Sequence, residues 1–327
     1  MCFRMQRFFS PDSFWNTPLG AAPQLDPDSA KMAALLEQEE NGPYFGINLH
    51  RWTIPVFEVD ANTPRRKVYQ RKVTEKSDPL AYYGELGVRF HFFPGFGDAV
   101  PIPVEAQPDP EGDSHLAMVD YHAGLVWDMW GAQKRPDGEW ESCTGMSYPL
   151  NGSGVFDPKL FKIKDGESIH FHGPSRAAGV PAVAGLIMQH EVAAGKIEHK
   201  LACATRYGAY KKFVFPATWT DGPRAFGIPE GAVLQLDPAL DLSVFKLSPG
   251  GRIVAEALQQ YGAVNVDGSG GNTIYGEYLP RGNPGRAWED LLDPFGLKEI
   301  HARHFRVLKL NDVRQGGFNG HPGANFG

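Results

Sequence analysis

Between Arg51 and Asp221 short apolar runs recur, WTIPVFEV, KVYQRKV, GVRFHFF, HLAMVD, LVWDMW, SIHFHG, AGLIMQ and FVFPATW, each bounded by turn-forming residues. Runs of this length, rich in β-branched and aromatic residues and in several cases strictly alternating, predict short strands at regular spacing. Helical spacing appears twice. Over 26–40 Asp26 stands as cap and Pro27 in the first turn, Met32, Ala33, Leu35 and Leu36 form one stripe, and Gly42 closes the helix. Over 248–261 Ser248 caps, Pro249 takes the first position, Ile253, Val254, Ala257, Leu258 and Tyr261 share a face, and Gly262 terminates. The segments AVNVD and TIYGEY that follow read as a hairpin across GSGG. The proline-rich DAVPIPVEAQPDPEGD reads either as a linker or as an edge strand interrupted by prolines. Together these elements predict an all-β chain, residues 1–327 forming one jelly-roll-like β-sandwich with a few peripheral helices.

Within that pattern the most informative stretch is DSHLAMVD-YHAG-LVWDMW, two strands around a four-residue turn. If Asp120 opposes Leu125, then Leu116 and Met118 share one face with Leu125, Trp127 and Met129, and that face is core. The other face carries His115, Ala117 and Val119 with Val126, Asp128 and Trp130. An imidazole, a carboxylate and an indole gathered on one face make a candidate site. His115 and Asp128 lie on a diagonal of ~7–8 Å that lets the side chains meet, and a carboxylate that meets a histidine fixes its tautomer and raises its basicity. His115 and Asp128 are therefore the candidate catalytic pair, and an exposed Trp130 beside them would be a platform for a sugar ring. The competing reading is a solvated face that holds a His and an Asp by chance.

Two other runs put paired basic side chains on one face: Arg89 and His91 in GVRFHFF, and His170 and His172 in SIHFHG. Were these strands to share a concave sheet with the hairpin, Arg89, His91, His170 and His172 would bind substrate beside His115 and Asp128. Taken singly, each histidine is better explained as a satisfied or surface residue. GESIHFHGPSR also resembles part of the first cupin motif, so His170 and His172 are the candidate ligands of a metal ion if one is bound. The glutamate that motif carries is absent, and no second cupin motif follows. The loop GPSRAAGVPAVAGLI, rich in small residues, reads as close packing or as a rim where backbone approaches a ligand.

Composition narrows the classes. Hydrophobic residues at 42% and charged ones at 21% exclude disorder and a coiled coil, and 38 Gly with 27 Pro fit many turns. Lys+Arg 32 against Asp+Glu 38 gives a net charge of -6, which argues against nucleic acid and slightly against a polyanionic substrate. No apolar stretch reaches the ~18 residues of a membrane helix, and the opening MCFRMQRFFSPDSFW has no secretory h-region. The three cysteines, Cys2, Cys143 and Cys203, lack metal spacing and read as thiols, with a Cys143–Cys203 bridge the alternative.

The segments FFSPDSFWNTPL, DSAKMAALL, VPIPVEAQPDPEGDSHLAMVD, DMWGAQ, AAGVPAVAGLI, EVAAGKIEHKLA, FPATWTDG, IPEGAVLQLDP and ALQQYGAVNVD resemble a family of largely uncharacterised bacterial proteins, mostly exported and from soil organisms. The family looks like jelly-roll carbohydrate-active proteins, and the resemblance implies a glycan partner, an extracellular location and His115 with Asp128-x-Trp130 as matching polar positions. The expectation is a carbohydrate-active enzyme that cleaves glycosidic bonds, a glycoside hydrolase first, with no cofactor. Hydrolysis usually needs two carboxylates. Asp113, ~13 Å along a straight strand from the level of Asp128, does not serve, so Asp221, Glu141 or Glu230 is needed. The alternatives are a polysaccharide lyase using His115 or a tyrosine with Arg89, a lectin, and a cupin-like metal-dependent oxygenase.

Overall fold

The computed structural model describes residues 7–73, 78, 80–81, 88–93, 95–157, 170–171, 175–279 and 286–317. Strands dominate and helices are few, as the alternating runs require. A six-stranded sheet runs in the order Gly46–Asn48, Thr273–Tyr275, Leu201–Thr205, Ala263–Gly268, Val233–Leu236, Phe305–Val307. A four-stranded sheet runs Thr144–Pro149, Leu125–Trp130, Leu116–Asp120, Val56–Glu58. Both mix parallel and antiparallel neighbours, since Leu201–Thr205 lies parallel to Ala263–Gly268 and Val56–Glu58 parallel to Leu116–Asp120.

Side-chain period sorts these sheets into layers. Leu201, Cys203 and Ala263 point from one face of the six-stranded sheet into a core shared with Val254, Ala257 and Leu258 of the helix Pro249–Gln260. Ala202, Ala204, Val264 and Val266 point the other way, into a core shared with Ala117, Val119, Val126 and Met146 of the four-stranded sheet. The opposite face of that sheet, Leu116, Met118, Trp127 and Met129, packs on Val68, Val100, Ile102 and Trp140. Helix, sheet, sheet and a small outer sheet thus stack in a sandwich-like order, and the four-stranded sheet is buried on both sides.

The predicted hairpin forms in the expected register, with Asp120 opposite Leu125, Met118 opposite Trp127 and Ala117 opposite Asp128. The helix at 249–260 also follows its signals: the Ser248 hydroxyl accepts the Gly251 N–H at 3.1 Å, Pro249 opens it, and Gly262 follows at φ +75°. Val100–Pro101 pairs with Arg65–Arg66, so the proline-rich stretch contributes a short edge strand. Three expectations are corrected. The first helix spans Ser29–Leu36, because the Asp26 carboxylate is used one turn earlier, accepting from the Asp28 N–H at 2.9 Å. Ala263–Gly268 and Thr273–Tyr275 are not hairpin partners: Leu201–Thr205 lies between them and pairs with both. AGLIMQ is not a strand but a buried loop leading to the helix Gln189–Ala193, turned by Gly185 at φ +69°, where a Cβ would lie 2.4 Å from the Ala202 amide nitrogen. Cys143 and Cys203 are both free and buried.

Candidate functional site

Asp128 stands where the alternation put it, on the face of its strand that looks toward the six-stranded sheet. It is 0% exposed. The Ser175 hydroxyl donates to its Oδ1 at 2.8 Å and the Ala182 N–H to its Oδ2 at 2.9 Å. Two ends of one small-residue loop are thereby pinned to a single carboxylate, which answers the question raised by GPSRAAGVPAVAGLI: its described part, from Ser175 to Ile187, is packed between the sheets. Burial pushes the Asp128 pKa up to about 6, against the pull of its donors and of Arg176.

That loop carries Arg176, whose guanidinium is 0% exposed. Its carbon lies 3.9 Å from the Tyr275 ring centroid, its Nη2 donates to the Ala182 carbonyl at 3.4 Å, and its Nη1 is 3.9 Å from Oδ2 of Asp267. Among the described residues, Nε and Nη1 have no hydrogen-bond acceptor. A buried guanidinium with unbonded N–H groups is costly unless something polar fills the space it faces.

Carboxyl groups fill much of that surrounding. Asp267 reaches it because of a β-bulge: Cys203 opposes Asn265 but Ala204 opposes Asp267, so the extra residue Val266 turns Asp267 to the inter-sheet side. Burial, then the charge of Asp221, hold Asp267 well above the usual carboxylate range. Asp221 lies against Gly268, where a Cβ would sit 3.1 Å from its Oδ1, so the glycine makes room for the carboxylate. Glu230, 1% exposed, is also raised well above its ordinary range, first by burial and then by Asp221, to which it hydrogen-bonds through the side chain. Asp113 is raised by burial too, and Arg176 and Asp221 act on it in opposite directions. Three carboxyl groups, Asp113, Asp128 and Asp267, therefore act on one guanidinium, and Asp221 with Glu230 extends the cluster beyond Asp267.

Asp113 corrects a distance argument. A straight strand would carry it away from the site, but Ser114 has φ +44°, and the chain bends back so that the Gly131 N–H donates to the Asp113 carbonyl at 2.8 Å. The Trp130 indole N–H then donates to Asp113 Oδ1 at 3.0 Å, and the ring stacks edge-on against Phe90 with centroids 5.1 Å apart. At 2% exposure Trp130 offers no face to a sugar, so the platform reading is not what this geometry gives. His115 is buried at the start of its strand, where its carbonyl accepts from the Asp109 N–H at 2.8 Å, and burial pushes the neighbouring Asp109 carboxyl up to about 7.

Among the described residues the GVRFHFF run meets the edge of the hairpin sheet at one point only, where Phe92 bridges Gly145 and the Phe93 N–H donates to the Gly145 carbonyl at 3.0 Å. Val88–Arg89 and His170–Phe171 form a separate two-stranded parallel sheet, His170 beside Val88 and Phe171 beside Arg89. His91 is exposed, and His172 lies outside the described residues. Among the described residues no group of three or more His, Cys, Asp or Glu is placed to hold a metal ion. No helix among them is long and apolar enough to cross a membrane. Arg176 and Asp267 were missed in the sequence, although a lone arginine inside a run of Ala, Gly, Val and Pro and an aspartate before GSGG were visible signals. No family model, curated protein or solved structure matches the chain.

Proposed function

We propose that the chain is a glycan-cleaving hydrolase whose acid–base machinery is the carboxyl cluster around Arg176. The observation that carries this reading is the gathering of largely buried carboxyl groups at one place between the sheets, Asp267 and Glu230 beside Asp221, with Asp267 next to Arg176. Burial first, and then the charge of Asp221, hold the Asp267 and Glu230 carboxyls well above the usual carboxylate range. A carboxyl raised by burial can serve as a proton donor at neutral pH, and glycoside hydrolysis needs such an acid beside a second carboxyl group. In this reading Asp267, whose side chain is 20% exposed, is the general acid and Asp221 the carboxylate that acts as base or nucleophile. Glu230 is a positioning residue whose side chain hydrogen-bonds Asp221. Asp128 is another, because it fixes the loop that presents Arg176. The resemblance of the sequence to jelly-roll carbohydrate-active proteins supports a glycan as the substrate.

Elimination is the weaker reading for this cluster. A lyase needs a base near neutral pH, and the tyrosines beside Arg176, Tyr148 and Tyr275, are held well above the ordinary phenol range by burial first and then by Asp128 and Asp267 respectively. The test is a screen of neutral and acidic polysaccharides that records new reducing ends and the ultraviolet absorbance of an unsaturated uronate. Reducing ends without that absorbance are expected, with a loss of ~10²-fold or more in Asp267→Asn and Asp221→Asn at unchanged circular dichroism. Full turnover in both variants would refute the assignment, and unsaturated products would replace hydrolysis by elimination.

A further inference from the structure

The outer three-stranded sheet presents a second feature that the carboxyl cluster does not use. Its strands Val68–Gln70, Trp140–Ser142 and Gln133–Lys134 align Tyr69, Glu141 and Gln133 in one cross-strand row. The Gln133 amide donates to Glu141 Oε1, which holds the middle of the row. Tyr69 is 38% exposed, with the Arg135 guanidinium carbon 4.7 Å and the Lys67 ammonium 5.2 Å from its ring centroid. Around this row lies an open groove of about 530 Å³, walled by Tyr69, Lys72, Lys134, Arg135, Gln133 and Glu141.

The charge of this face opposes that of the chain. Arg65, Arg66, Lys67, Lys72, Lys134 and Arg135 lie on the sheet or its rim, in a protein whose net charge is -6. Among the described residues Lys67, Lys72 and Lys134 have no carboxylate partner, whereas Arg135 is shared with Asp137 at 2.9 Å and Arg71 is turned inward to Asp78 at 2.5 Å. Exposed, unpaired ammonium groups around a flat ring attract an anion that brings its own apolar face.

We propose that this groove binds an anionic polysaccharide, a sugar ring lying on Tyr69 while uronate or sulfate groups meet Lys72, Lys134 and Arg135. Glu141 and Gln133 then serve the hydroxyls. A carboxylate at the centre of the row repels a phosphodiester backbone, and a single ring is not the succession of stacking platforms that single-stranded nucleic acid uses, so the chemistry favours a glycan. The groove lies on the outer sheet, whose Val68 and Trp140 pack on the face of the four-stranded sheet opposite to the one that carries Asp128, so it is a surface separate from the carboxyl cluster. The inference uses the glycan reading only to choose among polyanions, and it stands or falls by binding alone.

The experiment is affinity electrophoresis of the full chain carrying Asp267→Asn, in gels holding polygalacturonate, chondroitin sulfate, a neutral glucan or a single-stranded DNA oligonucleotide, at low and at moderate salt. Retardation by polygalacturonate, chondroitin sulfate or both, weakened by salt and at least tenfold weaker after Lys134→Gln with Arg135→Gln or after Tyr69→Ala, is expected. The two polymers separate carboxylate from sulfate as the recognised group. All three residues are solvent-facing, and circular dichroism verifies that the variants fold. No retardation by either acidic glycan, equal retardation by the neutral glucan, tighter retention on DNA, or variants that bind like the parent would each overturn the proposal. Because Asp267→Asn removes the proposed acid, binding in this background separates a failed groove from a failed hydrolase.

Discussion

Replacing Asp128 by asparagine tests the burial argument at one residue. The carboxyl titrates near 6 in the folded protein against 3.8 for the free group, a difference worth about 3 kcal/mol at ~1.4 kcal/mol per unit. Its folded pKa is the raised one, so between these values the native state binds more protons than the unfolded chain. Stability is therefore greatest below about 3.8 and is lost as pH rises toward 6 and just above it. Asparagine keeps the shape and removes the titration. Its amide oxygen can accept one of the two donors, Ser175 Oγ–H or Ala182 N–H, and the other donor then meets an NH₂ group. One buried donor left unsatisfied costs about 1–3 kcal/mol. At pH 4 the variant should thus be less stable than wild type by about that amount. From pH 4 to 7.5 the wild type should lose ~2–3 kcal/mol relative to the variant, bringing the two close together. Urea unfolding at 25 °C in half-unit pH steps measures this difference, and other titrating groups cancel in the comparison. Parallel stability curves for the two proteins would refute a raised Asp128.

Two further outcomes separate structure from recognition. Trp130→Ala empties the pocket between Phe90 and Asp113 and should cost ~3–5 kcal/mol, read as a lower thermal midpoint, while retention on an acidic glycan survives in the folded fraction; lost retention at full stability would restore Trp130 as a platform. Ser248→Ala should cost ~1 kcal/mol through the lost cap at Gly251, and Ser248→Asp should recover most of it; an unchanged urea midpoint in the alanine variant would contradict the cap.

The hairpin shows how far local pattern reaches. Asp120 receives the His122 and Ala123 N–H groups at 3.0 and 2.7 Å, Gly124 takes φ +67°, and this turn sets the register of every residue to Trp130. One turn and one alternation suffice to put Asp128 on its face. They do not say what covers that face. The cover comes from a loop 47 to 54 residues away and from the still later strands Leu201–Thr205 and Ala263–Gly268, so a face with a histidine, an aspartate and a tryptophan looked solvent-facing and is interior. The same blindness to long-range insertion explains the false hairpin at 263–275: nothing near GSGG reveals that Leu201–Thr205 enters between its arms. The Asp267 bulge is a mismatch between two strands far apart in sequence, so neither strand signals it alone. Asp221 and Glu230 were legible as candidate partners by residue type, but their proximity was not.

The energetics of the cluster bear on what it is for. Within it Asp128 at about 6 gives up roughly 3 kcal/mol at neutral pH relative to a free carboxylate, out of a total that for domains is ~5–15 kcal/mol. Neutral or apolar residues of similar volume would remove that loss, since buried charge seldom adds stability over a well-packed alternative. The carboxyls also do not bind one another into a closed ion-pair network. Three of them act on one arginine, and that arginine keeps two nitrogens without a hydrogen-bond acceptor among the described residues. A purely architectural role leaves both features as uncompensated cost. The proton transfer proposed for the cluster would account for them together, because an acid must stay protonated at neutral pH and a guanidinium must have N–H groups left for the group that arrives.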